Sequence, residues 1–479
     1  MDDELTSETA AAAGPAGRPG SEAGRPDGGW PGAGRPDGEQ PGAGRRRGAQ
    51  PDDRRPDDRR PDEGGLLPLG YLHAGDDPAP IATPRHPRPA ARADRRRRRP
   101  ALRRTAAVLV GLVVVYLAWA AVGAAGAPGN QGYSAKLADW FRSHHAAFVV
   151  SNLERWYYEL NQPAKGGSPH HLNALPRTGG VVRTPAKVAR VTVAHLPPPA
   201  PIPLIVEPAL PGEGVWRPVG PTVDGFPGMY EAQFRADTVY TSQITTAVWI
   251  DPELMRLSLI PGLTEPGGHW AHPPYITHAE LPTIAAAFNG GFRFQDAQGG
   301  FYLDGRTAIP LRKGAASLVF YRNGTVDVGS WDEEVHMTPD VVSVLQNLVP
   351  MVDHGQVAPS ATYNDTTIWG ATLGADTVVA RSGVGVTADG ALVYVAGPAL
   401  SAKTLAESLV RAGAVRGMTL DINPEWVTFN FFGHPDPADP YQVSSAALYP
   451  QQQRPSTRYL GPTLEDRDFI EVRTPAPAG

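Results

Sequence analysis

Apolar residues are distributed so unevenly that the chain divides into stretches of different kinds. Residues 1–100 have almost no aliphatic or aromatic clusters and carry near-repeats instead, GRPDG from Gly24 and from Gly34, and PDDRR from Pro51 and from Pro56. So little apolar surface cannot offset the entropy of ordering, which predicts a disordered tail. A role as an interaction tail for a cytoplasmic partner or anionic lipid is the alternative. Residues 105–127, TAAVLVGLVVVYLAWAAVGAAGA, then run without a charge. As a helix they would span roughly 34 Å, enough for a hydrocarbon core of about 30 Å. Arginines 95–99, 103 and 104 precede this run, and few charges follow it. The asymmetry predicts a single-pass anchor in the cell membrane, with the N-terminus cytoplasmic and the following domain extracellular. The AGA before Pro128 leaves a cleaved signal peptide as the rival reading, which the long apolar stretch behind a charged tail disfavours.

Beyond the span, residues 134–161 place Leu137, Trp140, Phe141, Phe148, Leu153, Trp156, Tyr157 and Leu160 at helical spacing. The pattern predicts one amphipathic helix, lying along the membrane or packed on the domain behind it. His144 and His145 are adjacent and so point to different faces, which suits a solvated or interfacial surface better than a shared metal. Residues 162–204 are rich in proline and glycine and end in LPPPAPIPL, the composition of a semi-rigid extended linker. From 205 to 472 short β-rich runs alternate with turns. Asn323-Gly324 and Asp389-Gly390 are hairpin signals. Helix signals are fewer, residues 339–348 (PDVVSVLQNL) and 401–412 (SAKTLAESLVRA), the latter capped by Ser401 and closed by Gly413. The expected fold class is α+β: a mixed, largely antiparallel sheet domain with few helices.

Composition narrows the chemistry. The 479 residues carry a formal net charge of −5 and no cysteine, which excludes disulfides, Cys–Zn sites and thiol catalysis. Only five of the 44 basic residues are lysine, a usage expected of a GC-rich bacterial genome. The one dense arginine run is explained by membrane topology, so no nucleic-acid partner is expected. Phosphate-loop, dinucleotide, HExxH and GxSxG motifs do not stand out. His269, His272 and His278 lie in a proline-rich loop that offers no helix to align a metal pair. His354 sits in a turn-like MVDHGQ. Neither a cofactor nor a metal is expected.

Four segments occur in order: AAAFNGGFRF (285–294), GAASLVFYRNGTVDVGSW (314–331), RSGVGVTADGAL (381–392) and TLAESLVRAGAVRGMTLD (404–421). The set resembles the phosphodiester glycosidase family, whose members carry an NGGFF-like loop, an arginine before a GV-type hairpin and a helix-to-strand unit ending in LDGGGSS. The resemblance covers residues 216–472. It maps Asn289, Gly290 and Gly291 onto the loop, Arg381 onto the arginine and Asp421 onto the aspartate. Two positions depart from the pattern. Ala396-Gly397-Pro398 stands where the family has DGR, and Ile422-Asn423-Pro424-Glu425-Trp426 stands where it has glycines and serines.

The resemblance implies a hydrolase acting on a glycosyl phosphodiester, through an oxocarbenium-like state that needs a carboxylate near the anomeric carbon and a cation on the phosphate. Asp421 is the candidate base or nucleophile, with a turn or capping aspartate as the plainer alternative. Glu425 is a candidate second carboxylate. Arg381 is assigned to the phosphate, or else to a structural ion pair. Asn289 with the Gly290 and Gly291 amides would hold sugar or phosphate, unless the glycines only form a tight turn. Trp426 offers a stacking face for a sugar ring, although WVTFNFF also reads as a half-buried strand. The expected partners are a cell-envelope glycan or sugar phosphate and the membrane, with oligomeric state left open. The other two readings are a glycan-binding module of the same fold and a scaffold assembled through residues 134–161.

Overall fold

A computed structural model describes residues 91–169, 171–174, 194–362, 368–369 and 378–476. The disordered tail expected over residues 1–90 lies outside the described residues. Residues 91–100, expected to belong to that tail, instead begin a helix, α1 (Ala91–Ala125). The stretch Arg103–Gly126, which begins inside α1 and runs one residue past its end, is long and apolar enough to cross a membrane, and Val108, Leu112, Val115 and Val122 are exposed along it.

The amphipathic stretch is two helices, not one: α2 (Tyr133–Ser143) and α3 (Ala147–Leu160). The break falls at the histidine pair, where His145 takes φ 63° and the His144 ring stacks on Trp140 at 3.9 Å. A single left-handed residue is enough to turn the chain between α2 and α3, and α2 itself packs against the end of α1. Trp140 sits against Ala120 and Ala124, with Tyr116 and Trp119 edge-on to it at 5.5 and 4.8 Å.

All pairings between strands are antiparallel. The largest sheet has the order β1 (Arg217–Pro218), β4 (Met229–Phe234), β5 (Thr245–Ile250), β16 (Leu392–Leu400), β15 (Val379–Thr387), β17 (Ala414–Ile422), β13 (Val352–Asp353) and β14 (Gln356–Val357). A second sheet runs β19 (Ser444–Ala447), β18 (Phe429–Gly433), β7 (Ile284–Asn289), β20 (Phe469–Arg473) and β6 (Arg256–Ile260). A third runs β11 (Val326–Ser330), β10 (Ala316–Tyr321), β12 (Val341–Gln346), β8 (Phe301–Leu303) and β9 (Arg306–Ile309), and β2 (Thr222–Val223) pairs with β3 (Phe226–Pro227). Among the described residues, three further helices are α4 (Phe294–Ala297), α5 (Pro359–Thr362) and α6 (Ala402–Arg411). The class is α+β, with largely antiparallel sheets and few helices.

Local chemistry explains most of these choices and two departures. Both hairpin signals hold, joining β10 to β11 through Gly324 (φ 95°) and β15 to β16 through Gly390 (φ 93°), conformations that glycine adopts without strain. Ser401 caps α6 in a box with Thr404. The helix expected over 339–348 is strand β12: its valines are β-branched, and two of them, Val341 and Val344, are buried together with the neighbouring Leu345. The linker prolines do not float free either. Leu196 N donates to Asp251 Oδ2 at 2.7 Å, Ile202 N donates to Gly214 O at 2.9 Å, and Ile202 is buried in the core beside α6.

The main core lies between the first two sheets, where Phe288, Tyr394, Phe429 and Phe431 meet as a ring cluster. Each such side chain contributes roughly 1.5–3 kcal/mol on burial. The WVTFNFF segment is accordingly buried on both faces rather than half-buried.

Candidate active site

Asp421 is the penultimate residue of strand β17, β7 ends on Asn289, and β20 is entered through Arg467 and Asp468. The register brings these ends together: Phe469 pairs with Asn289, so Gly290 N donates to Asp468 O at 3.1 Å. Ser382 on β15 joins the two sheets, its Oγ donating to Asp421 O at 3.1 Å and receiving a hydrogen bond from Asn289 Nδ2 at 3.0 Å.

The Asp421 carboxylate is buried. Oδ2 accepts from Arg467 Nη1 at 2.8 Å and Oδ1 accepts from the Ile422 amide at 2.7 Å. Burial raises its pKa to about 6 against the opposing pull of the Arg467 charge. Asp468 lies deeper in electrostatic terms. Neither of its carboxyl oxygens has a hydrogen-bond partner in another described residue, and burial, with the Glu265 carboxylate nearby, pushes it up to about 8. A buried carboxyl without a partner costs free energy, and such groups concentrate at functional sites. Gly290 makes room for it, because a Cβ there would fall on the Asp468 carboxylate.

Arg467, the partner of Asp421, also lines a cavity of about 380 Å³ together with Arg293, Glu265, Trp426 and Asp466 from the domain and Lys136, Asp139 and Trp140 from α2; neither Asp421 nor Asp468 is among the lining residues. Arg293, within the FNGGFRF segment itself, donates to Asp139 Oδ1 at 3.1 Å and to Asp296 Oδ2 at 2.9 Å. Glu265 accepts from Phe294 N at 3.0 Å, and burial raises its pKa. Trp426 lines the cavity with the Arg467 guanidinium 4.0 Å over its ring.

The other residues singled out in the sequence occupy different positions. Asn289 is buried and its amide is fully used. Nδ2 donates to Gly290 O and Ser382 Oγ, and Oδ1 accepts from Tyr394 OH at 3.0 Å and Thr428 N at 3.2 Å. It braces the turn from within. Gly291 packs on Asn347, where a Cβ would come within 3.2 Å. Arg381 pairs across the sheet with Ile422, not Asp421, and so points from the opposite face. Its Nε donates to Leu400 O at 2.8 Å and Nη1 to Trp369 O at 3.4 Å; burial lowers its pKa to about 10. Glu425 accepts from Arg454 Nη1 at 2.7 Å and from Gly132 N at 3.1 Å and does not line the cavity. The INPEW turn that carries it is set by Asn423 at φ 93°, whose Oδ1 accepts from Glu425 N at 2.9 Å.

Residues 282–421 match the family model of the phosphodiester glycosidases. The chain carries a domain of this family. That phosphodiester glycosidase domain implies a hydrolase. No curated protein matches the chain. Among solved structures, the zebrafish N-acetylglucosamine-1-phosphodiester alpha-N-acetylglucosaminidase catalytic domain, auto-inhibited by its pro-peptide, is 13% identical over 52% of this chain and 82% of that one, with a TM-score of 0.34. A hypothetical protein from Synechocystis is 14% identical over 54% of this chain and 64% of that one, with a TM-score of 0.32.

Arg467 and Asp468 lie beyond the matched residues, and neither stood out in the sequence. The available signal was the run Glu465-Asp466-Arg467-Asp468 directly ahead of the apolar strand Phe469–Arg473. Four charged residues, all buried, cannot be a solvated turn. Glu465 is held by Arg458 at 2.7 Å, and Asp466 accepts the Asn130 and Gln131 amides at 3.1 and 2.9 Å. As for metals, Glu334, Asp353 and His354 bring ligand atoms within 4.8 Å of one another, but His354 and Asp353 are exposed and already pair with each other. His272 is engaged by Glu280 at 2.8 Å and His278 stacks on Tyr441.

Proposed function

We propose that the chain is a membrane-anchored hydrolase that cleaves a glycosyl phosphodiester of the cell envelope, outside the cell. The observation that carries this reading is the pair Asp421 and Asp468, two buried carboxyls with displaced and different pKa values, of which Asp421 is held by Arg467, a residue that walls a cavity together with Arg293. Two carboxyls separated in this way can divide base and acid roles at neutral pH. A phosphate entering the cavity would be bound by Arg293 and Arg467. It would draw Arg467 away from Asp421, leaving that carboxylate less stabilised and a stronger base. Asp421 then takes a proton from water attacking the anomeric carbon, and the bond from that carbon to the phosphate oxygen breaks. Asp468, protonated at neutral pH, donates to the departing phosphomonoester.

The family match supports hydrolysis; the anchor, the envelope substrate and these residue roles are the proposal. It is tested with a sugar 1-phosphodiester and purified full-length protein. Wild type should release free sugar, and Asp421→Asn and Asp468→Asn should each lower kcat by about 10²–10⁴-fold, the usual worth of a positioned acid or base. Tight glycan binding with no release by the wild-type protein would leave a binding module instead.

A further inference from the structure

The wall of the candidate site is built partly by the membrane segment's own continuation. Ala127, Pro128, Gln131, Lys136, Asp139 and Trp140 line the same cavity as Arg467, and the apolar stretch ends at Gly126. The join is rigid. Gly123 of α1 leaves room for Trp140, whose indole a Cβ would strike, and Lys136 Nζ donates to Ala127 O at 2.7 Å. Four polar contacts then fix the connecting turn to the domain: Asn130 and Gln131 to Asp466, Gly132 to Glu425, and Asp139 to Arg293.

A site hung on a flexible linker could range tens of ångströms from the bilayer; this one is clamped beside the end of the span. Helix α3 follows α2 and carries exposed apolar side chains of its own. Tyr158 packs against Val379 and Ile422, while Phe148, Trp156 and Leu160 of the same helix are 68%, 62% and 66% exposed. Trp and Tyr beside such a face are the residues that settle at a lipid headgroup layer.

We infer that the site takes a glycosyl phosphodiester whose aglycone is a membrane lipid, presented at the outer leaflet beside α2 and α3. This rests on the hydrolase reading above. The leaflet holds the lipid, and Arg293, Arg467 and Lys136 receive the phosphate at the bilayer surface.

The test reconstitutes full-length protein into phosphatidylethanolamine–phosphatidylglycerol vesicles. One sugar-phosphate head group is offered either on a dialkyl glycerol in the same vesicles or on a short, water-soluble alcohol. Confinement to one surface raises effective concentration, so kcat/KM for the lipid form should exceed that for the soluble form by at least about tenfold. Phe148→Ser with Trp156→Ser, both outside the cavity, should remove most of that advantage and leave hydrolysis of the soluble form unchanged. Equal rates on both forms, or an advantage untouched by the double substitution, would overturn the inference while the hydrolase reading stands. No release from either form would sink both.

Discussion

Arg467 Nη1 donates to Asp421 Oδ2 at 2.8 Å, and the two side chains are 9% and 6% exposed. A pair this buried is expensive to break from one side, because the surviving charge is left without water or partner. Asp421→Ala should therefore destabilise the protein by about 3–5 kcal/mol. Asp421→Asn keeps an acceptor for Arg467 and should lose far less stability while abolishing turnover. Urea unfolding alongside sugar release separates the two effects.

Asp468 predicts an inverted pH dependence of stability. Its ordinary value of 3.8 is raised to about 8 in the fold, so between those values the native state holds a proton that the unfolded chain has released. The stabilisation is complete below the unfolded value and disappears as pH rises through about 8. Asp421 acts in the same sense through about 6, whereas Glu280, lowered to about 2, matters only in more acidic solution. Tm should fall between about pH 5 and about pH 8, and Asp468→Asn should flatten that slope. The rate should rise and fall with limbs belonging to the coupled pair, not to either residue alone.

Gly290 and Gly291 should not respond alike. A methyl group at Gly290 lands on the Asp468 carboxylate, backed by strand β20, whereas at Gly291 it meets the Asn347 side chain at 3.2 Å. Gly290→Ala should cost about 1–3 kcal/mol and most of the activity, and Gly291→Ala clearly less of both. Thermal melts and turnover of the two variants, measured side by side, check the order.

The contrast between these glycines shows how far sequence reading reaches here. The NGG turn, the Asp-Gly and Asn-Gly hairpins, helix α6 and the strand that carries Asp421 follow from local signals, since turn residues and caps act over a few positions. What Asp421 meets is set by strand register more than 40 residues away, and Arg467 and Asp468 lead into a strand whose pairing with β7 no local pattern encodes. Arg381 is the reverse case. Its position one step along β15 decides which face it takes, and pairing with Ile422 puts it on the side away from Asp421. Residues 339–348 show the same limit, because an apolar run of that length fits a helix or a buried strand equally well until its neighbours are known.

Arg381 consequently has a structural role to test. Its guanidinium binds the Leu400 and Trp369 carbonyls, and no carboxylate among the described residues pairs with it. Arg381→Met should lower stability by about 1–3 kcal/mol through the stranded carbonyls, with KM for the phosphodiester unchanged. A large rise in KM at intact stability would return this residue to the phosphate site.

The most direct test of the whole account is the position of bond cleavage. Hydrolysis of a sugar 1-phosphodiester in ¹⁸O-labelled water should place the label on the anomeric hydroxyl of the released sugar, with none in the phosphomonoester, because water guided by Asp421 attacks carbon. Label in the phosphate would mean attack at phosphorus and would contradict the roles given to Asp421 and Asp468.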